Sequence, residues 1–156
     1  MKMIMLFILL CSPFLFAETP DLCTISTEFE RIEIIRMKSG TDMLEGLNQA
    51  IENKNIVNAV ILNGIGSVTD YHYHVVSSKD LPPPEEYPKA SVPMDLIAVQ
   101  GFIIDKRVHA HITLSDENSV VGGHLEKGTK ALTFFILTAG VLPDSLDLQD
   151  LDNYKK

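Results

Sequence analysis

Three long apolar runs constrain the fold of this chain more than any other feature. VNAVILNGIGSV, MDLIAVQGFII and KALTFFILTAG start at residues 57, 94 and 130. Continuous apolar runs that end at turn residues are typical of strands buried on both faces. We therefore expect a core built from β-strands, and we expect the first of these strands to break at a turn marked by Gly64 and Gly66.

A single segment has the periodicity of an amphipathic helix. In residues 41–55, TDMLEGLNQAIENKN, apolar side chains recur at Leu44, Leu47 and Ile51, which places them on one helix face. Thr41 stands where the N-cap would lie. The chain has 156 residues and no internal repeat, so we expect one domain built from this helix and the strands.

Residues 1–17 differ from the rest of the chain. They combine a lysine near the start, an apolar run and Ala17 before a polar stretch, which is the pattern of a secretory signal peptide. The run is too short for a stable membrane anchor, and a buried strand or helix is the alternative. We expect cleavage after Ala17 and export to the periplasm or the medium, with no membrane association afterwards.

The remainder divides into three parts. Residues 18–28 form a polar lead-in, residues 29–141 form the folded domain, and residues 142–156 form an acidic tail. The tail is expected to pack loosely or to offer an edge to a partner. Cleavage removes Cys11 and leaves Cys23 as the only cysteine, so we expect no internal disulfide.

The charge of the chain is acidic. It has 13 Lys and Arg against 21 Asp and Glu, a formal net charge of −8 at pH 7, and its basic residues are scattered. Such a protein repels the phosphate backbone of nucleic acids. DNA binding is therefore disfavoured on physical grounds, and it would require a local positive patch.

Three of the five histidines lie in two neighbouring strand patterns, RVHAHITL and SVVGGHL, which flank the turn sequence SDEN. Side chains two residues apart on a strand share a face, so His109 and His111 point the same way. With a turn at residues 115–118, His124 lies directly opposite His109, close enough for the imidazoles to converge. The hairpin therefore predicts a cluster of three histidines.

The register of this hairpin depends on the length of its turn. A loop one residue longer would move His124 to the other face of the sheet. Gly122 and Gly123 can supply a compensating bulge, and paired glycines also leave space beside the site. Together with Gly64 and Gly66, they are the candidates for lining a ligand pocket.

A three-histidine cluster has several possible chemistries. Three neutral imidazoles suit zinc or another divalent transition metal and leave a fourth position for a small ligand. A water molecule in that position would make the site a zinc-dependent hydrolase or lyase, and a histidine cluster acting as a general base without metal is a further alternative. The candidate acid–base groups for an enzyme are Asp116, Glu117 and Glu126. Asp95 and Asp105 are further candidates that the sequence does not favour over these.

The remaining two histidines, His72 and His74, form a second alternating pair in DYHYHV. No third partner lies near them in the sequence, so we expect both on a solvated strand face. Tyr71 and Tyr73 then pack inward, because they alternate with the histidines.

Two stretches, GTDMLEGLNQAIENKNIVNAVILNGIGSV and VHAHITLSDENSVVGGHLEKGT, resemble the plant and prokaryote conserved (PPC) domain, also called the domain of unknown function 296. The likeness spans about residues 29–141. It implies an α/β fold in a single domain, a mainly antiparallel β-sheet packed against one principal helix, that assembles as a homotrimer. It also implies that His109, His111 and His124 gather in one place and hold a metal such as zinc.

The resemblance also suggests a second function, DNA binding. Plant members follow AT-hook motifs in nuclear DNA-binding proteins, and bacterial members often carry the same description. This chain has no RGRP motif, and its charge has the wrong sign for DNA. The favoured interpretation is an exported homotrimer that binds a metal ion or small ligand at the three histidines. An enzyme and a DNA-binding protein are the alternatives.

Overall fold

The computed structural model describes residue 22 and residues 24–152. The signal peptide predicted for residues 1–17, Cys23 and the last four residues lie outside this part. Within the described residues, no helix is long and apolar enough to cross a membrane.

The described residues form strands and one helix. Their bounds are β1 Arg31–Lys38, α1 Met43–Lys54, β2 Asn58–Val76, β3 Glu85–Glu86, β4 Lys89–Ala90, β5 Met94–Ile104, β6 Arg107–Ser115, β7 Val120–Leu125 and β8 Lys130–Leu142. All the strand pairings among them are antiparallel. The predicted α/β fold, a mainly antiparallel sheet with one principal helix in a single domain, is confirmed.

The main sheet closes on itself around β2. Its strands run in the order β1-β8-β2-β5-β6-β7, and the far end of β2 also pairs with β7. In that closing pair Tyr73 lies opposite Leu125, and His74 lies opposite His124. β2, β5, β6 and β7 therefore form a ring, and the closure brings two segments about fifty residues apart to one place.

The turn predicted at Gly64 and Gly66 is wrong, because β2 continues through both residues. A side chain at Gly64 would overlap Val99 and Leu137, and one at Gly66 would meet the carbonyl oxygen of Phe134. Gly66 also has a φ of 155°, which favours glycine. These glycines allow strands to approach closely and β2 to bend at its register shifts.

The helix begins one residue later than expected. Asp42, and not Thr41, is the N-cap: its carboxylate accepts a hydrogen bond from the Glu45 amide at 3.1 Å. The same carboxylate accepts one from the Gly128 amide at 2.6 Å, which ties the helix start to the β7–β8 connection. The cap thus has a tertiary role that local propensity does not reveal.

The core lies between the helix and the inner face of the sheet. The helix contributes Met43, Leu47 and Ile51, all of them buried. Tyr73 is buried and Tyr71 packs against the same core, which confirms that these tyrosines point inward. Other fully buried side chains come from four strands: Ile61, Val68, Val99, Ile103, Ile112, Leu114, Phe135 and Leu137.

The described part of the acidic tail packs against the domain, contrary to the expectation of loose packing. Leu148 is buried and joins Ile104 and Leu142 in a small second core. The Asn58 side-chain amide donates a hydrogen bond to the Leu146 carbonyl at 2.9 Å. These apolar and backbone contacts hold the tail against the domain, and they bring its end to the β5–β6 side of the sheet.

Candidate metal centre

The β6–β7 hairpin has a different register from the predicted one. Its turn lies at residues 116–119, one residue later than expected, so His124 pairs with His111 and not with His109. The Asp116 carboxylate fixes this turn by accepting hydrogen bonds from the amides of Asn118 and Ser119. Moving the turn by one residue changes the residue opposite His124 by two positions, from His109 to His111. Residues two apart on a strand share a face, so His124 stays on the predicted face.

The paired glycines before His124 allow two strands to approach β7. No register shift occurs between β6 and β7, so the proposed compensating bulge is absent from this pair. A side chain at Gly122 would overlap the Ile112 carbonyl on β6, and one at Gly123 would overlap the His74 carbonyl on β2. Like Gly64 and Gly66, these candidates for a ligand pocket lie against neighbouring strands.

The structure brings the three predicted histidines together. His109, His111 and His124 each offer a ring nitrogen, and these nitrogens lie within 4.8 Å of one another. Their ring centroids are 4.8, 5.3 and 5.6 Å apart. Tetrahedral zinc with bonds of about 2.0–2.1 Å holds its nitrogen ligands about 3.4 Å apart, so these nitrogens need to approach one another by about 1.4 Å or less to form the site. We call these residues the histidine triad.

A carboxylate from the tail supports the triad. Asp152 Oδ2 lies 3.3 Å from His109 Nδ1 and accepts its proton, and Arg107 holds the same carboxylate at 2.9 Å. With the proton on Nδ1, the unprotonated Nε2 of His109 is the nitrogen whose lone pair is available to a metal. Carboxylates that orient ligating histidines are a regular part of metal sites. Sequence reasoning missed Asp152 because only the packing of the tail brings it there.

His74 also belongs to this region, so its predicted place on a solvated face is wrong. Its ring stacks on His124 at 4.4 Å, and its Nδ1 donates to Glu126 Oε1 at 2.7 Å. Glu85 Oε1 lies 3.6 Å from His74 Nε2. His72 lies apart, with its Nδ1 2.7 Å from the Lys127 carbonyl.

Of the predicted acid–base candidates, Glu126 is the one that the structure pairs with a histidine. Asp116 closes the hairpin turn, and Glu117 accepts a hydrogen bond from Asn118 in the same turn. Asp95 pairs with Ser115 at the far end of β6, and Asp105 lies in the tight β5–β6 turn.

Comparison with known proteins gives the chain its family. Residues 25–143 match the model of the Plants and Prokaryotes Conserved (PCC) domain, the family that the sequence resembles. The chain belongs to this family. No protein of curated function matches this PCC-domain chain significantly.

Solved structures share the PCC-domain fold. A plant- and prokaryote-conserved protein from Pyrococcus horikoshii is 21% identical, with a TM-score of 0.67 over 82% of this chain and 90% of that one. A metal-containing protein from Archaeoglobus fulgidus is 18% identical, with a TM-score of 0.66 over 77% and 86%. A protein from Bacteroides thetaiotaomicron, provisionally described as DNA-binding, is 18% identical, with a TM-score of 0.64 over 78% and 86%.

The electrostatics of this PCC-domain site keep its central imidazole neutral. Burial, and then the neighbouring His74, His109 and His111, lower the pKa of His124 from 6.5 to about 4, against a small opposing effect of Glu126. Burial also lowers the pKa of His111, with help from His109 and His74. Neutral imidazoles have the free lone pairs that a metal requires.

The metal-free protein should lose stability as the pH falls from about 6.5 towards 4. Above this window His124 is neutral in both the folded and the unfolded chain. Within it the unfolded chain binds a proton that the folded chain excludes, so acid favours unfolding. Thermal denaturation after chelator treatment should show a falling Tm, and His124→Gln should flatten that dependence. Equal slopes in the two proteins would contradict the assignment.

Proposed function

We propose that this chain binds a divalent transition metal, with zinc the best-suited ion, through the histidine triad. The supporting observation is that three imidazole nitrogens lie within 4.8 Å of one another on one face of a closed sheet. Asp152 orients the His109 ring by accepting a hydrogen bond from its Nδ1, as a carboxylate does in many metal sites. The related fold of the Archaeoglobus fulgidus protein, which is described as containing metal, agrees with this proposal.

The triad also leaves room for a ligand. Three protein ligands leave one position open in tetrahedral coordination, and His111 is exposed at the surface. A small molecule can therefore approach the metal from solvent. DNA binding, the provisional description of the Bacteroides thetaiotaomicron protein, has less support because the chain has a net charge of −8 and carboxylates lie beside the triad.

We also propose that the exported protein is a homotrimer that associates through one sheet face. This outer face carries three residues, Ile34, Ile65 and Ile97, that are 73%, 48% and 52% exposed. Ile65 pairs directly with Ile136, which extends the apolar surface onto β8. Contiguous apolar surface on a water-exposed sheet is typical of an interface. Export rests on the signal-peptide pattern of residues 1–17.

Native mass spectrometry of tag-free protein from a secreting host tests these proposals together. We expect trimers of chains that lack residues 1–17, each retaining one tightly bound ion after dialysis. His111→Ala should remove the ion, because it deletes a triad ligand at an exposed position. His72→Ala is the matched control and should retain the ion, because its ring contacts Lys127 and Tyr87 and no member of the triad in the described part of the chain.

In this experiment a different result would contradict each of the three proposals: metal binding, self-association and export. Wild-type protein that takes up no ion when supplied with zinc would overturn metal binding. Monomers at micromolar concentration would overturn self-association, and an uncleaved chain would overturn export. Equal loss of the ion in His72→Ala and His111→Ala would show that binding is not specific to the triad.

A further inference from the structure

A second set of metal donors lies on the other side of His124. His74, His124 and Glu126 each offer a donor atom, and these atoms lie within 4.8 Å of one another. Directly opposite residues on paired strands share a face, so His111, His124 and His74 form a row across β6, β7 and β2. The β2–β7 closure that forms this row is separate from the hairpin that forms the triad.

His74 and Glu126 have the chemistry and spacing of metal ligands. His74 Nδ1 and Glu126 Oε1 are 2.7 Å apart, joined by one hydrogen bond, and both side chains are partly buried. Imidazole and carboxylate together are a common zinc donor set. An ion that binds between them takes the place of the shared proton on Nδ1, and the neutral ring then carries its single proton on Nε2.

A supporting carboxylate for this arrangement is already in place. The His74 Nε2 atom lies 3.6 Å from Glu85 Oε1, so an Nε2 proton has an acceptor beside it. The Tyr87 hydroxyl donates to the other Glu85 oxygen at 2.5 Å and holds that carboxylate. Glu85 would therefore orient His74 as Asp152 orients His109.

The charges also favour a second cation on this side. An ion in the triad adds two positive charges to neutral imidazoles, and it repels any cation nearby. Glu126 and Glu85 each carry a negative charge next to His74, which offsets that repulsion. The triad itself has no ionised ligand, so this side of His124 is the more favourable place for further positive charge.

We propose that His74 and Glu126 form a second metal-binding position beside the triad, which takes up a further divalent transition-metal ion. This inference extends the proposed metal centre and rests on it. The second position binds more weakly than the triad, because a neutral His124 presents one lone pair and the triad ion retains it. At saturation the centre holds two ions per chain.

Zinc titration of the tag-free protein by equilibrium dialysis, after removal of bound metal, tests this proposal. Wild-type protein and His72→Ala should bind two ions per chain in a tight and a weaker step. His74→Ala and Glu126→Gln should each lose the weaker step and keep the tight one. His111→Ala should lose the tight step and keep a single weaker ion, since His111 belongs to the triad alone.

The outcomes separate this inference from the proposed function. Saturation of the wild type at one ion, lost in His111→Ala, would overturn the second position and leave the triad intact. Two steps that persist in both His74→Ala and Glu126→Gln would overturn it as well. Circular dichroism of each variant checks folding, and the conservative Glu126→Gln keeps the shape of the side chain should His74→Ala fail to fold.

Discussion

Replacing Gly123 with alanine is expected to destabilise the protein by about 1–3 kcal/mol or more and to reduce its metal retention sharply. The added methyl group would overlap the His74 carbonyl and press on the side chains of Tyr73 and Val75. β7 must then move away from β2, because backbone cannot give way as a flexible side chain can. The displacement carries His124, the next residue, out of the triad.

Urea denaturation and metal analysis of Gly123→Ala test this expectation, with Gly46→Ala as the matched control. The three atoms nearest to a methyl group at Gly46 would all belong to the side chain of Met37, which is flexible and able to move. Gly46 also lies in the helix, where alanine is intrinsically favoured. A Gly123→Ala protein as stable and as metal-rich as Gly46→Ala would refute the close approach of β7 to β2.

Replacing Asp152 with alanine should weaken zinc binding by about 10–100-fold, the usual effect of losing a group that orients a metal ligand. Asp152 accepts the proton of His109 Nδ1 and is itself held by Arg107. Without it the His109 ring is free to rotate, and its donor nitrogen is no longer fixed. This residue lies beyond the matched PCC domain, which ends at residue 143.

Zinc affinity measured by competition with a chelator tests the role of Asp152, and Asp144→Ala is the control. Asp144 is an exposed carboxylate in the same tail, so its removal changes the net charge equally. We expect the affinity to fall only in Asp152→Ala, with an unchanged melting temperature of the metal-free protein. Equal losses in the two variants would show that tail charge, and not orientation of His109, governs the affinity.

The triad could be predicted from the sequence because its geometry is local. His109, His111 and His124 belong to one hairpin, and strand alternation with a short turn is enough to place them on one face. The error of two residues in the pairing did not matter, since a shift by two preserves the face. The helix at residues 43–54 was equally predictable from the sequence, because its apolar side chains recur on one face over a few helical turns.

His74 and Asp152 could not be placed in this way. His74 meets His124 through a pairing between residues fifty positions apart, and no local pattern specifies which strand closes the sheet. Asp152 reaches His109 because Leu148 is buried in a second core, which depends on the finished domain. Gly64 and Gly66 were misread for the same reason: close packing against β8 and β5 requires glycine there, although local chemistry favours a turn.

The length of β2 has an evolutionary consequence. Ile65 on the outer face and His74 in the candidate metal centre lie on one strand, and the pairing of that strand with β8 shifts register twice between them, at residues 66–68 and 68–70. Inserting or deleting a single residue between them would rotate every later side chain to the opposite side, unless a compensating bulge arose at the same time. A change in the length of this stretch would therefore break the register between the outer face and the candidate metal centre, whereas substitutions at its exposed positions would leave that register intact.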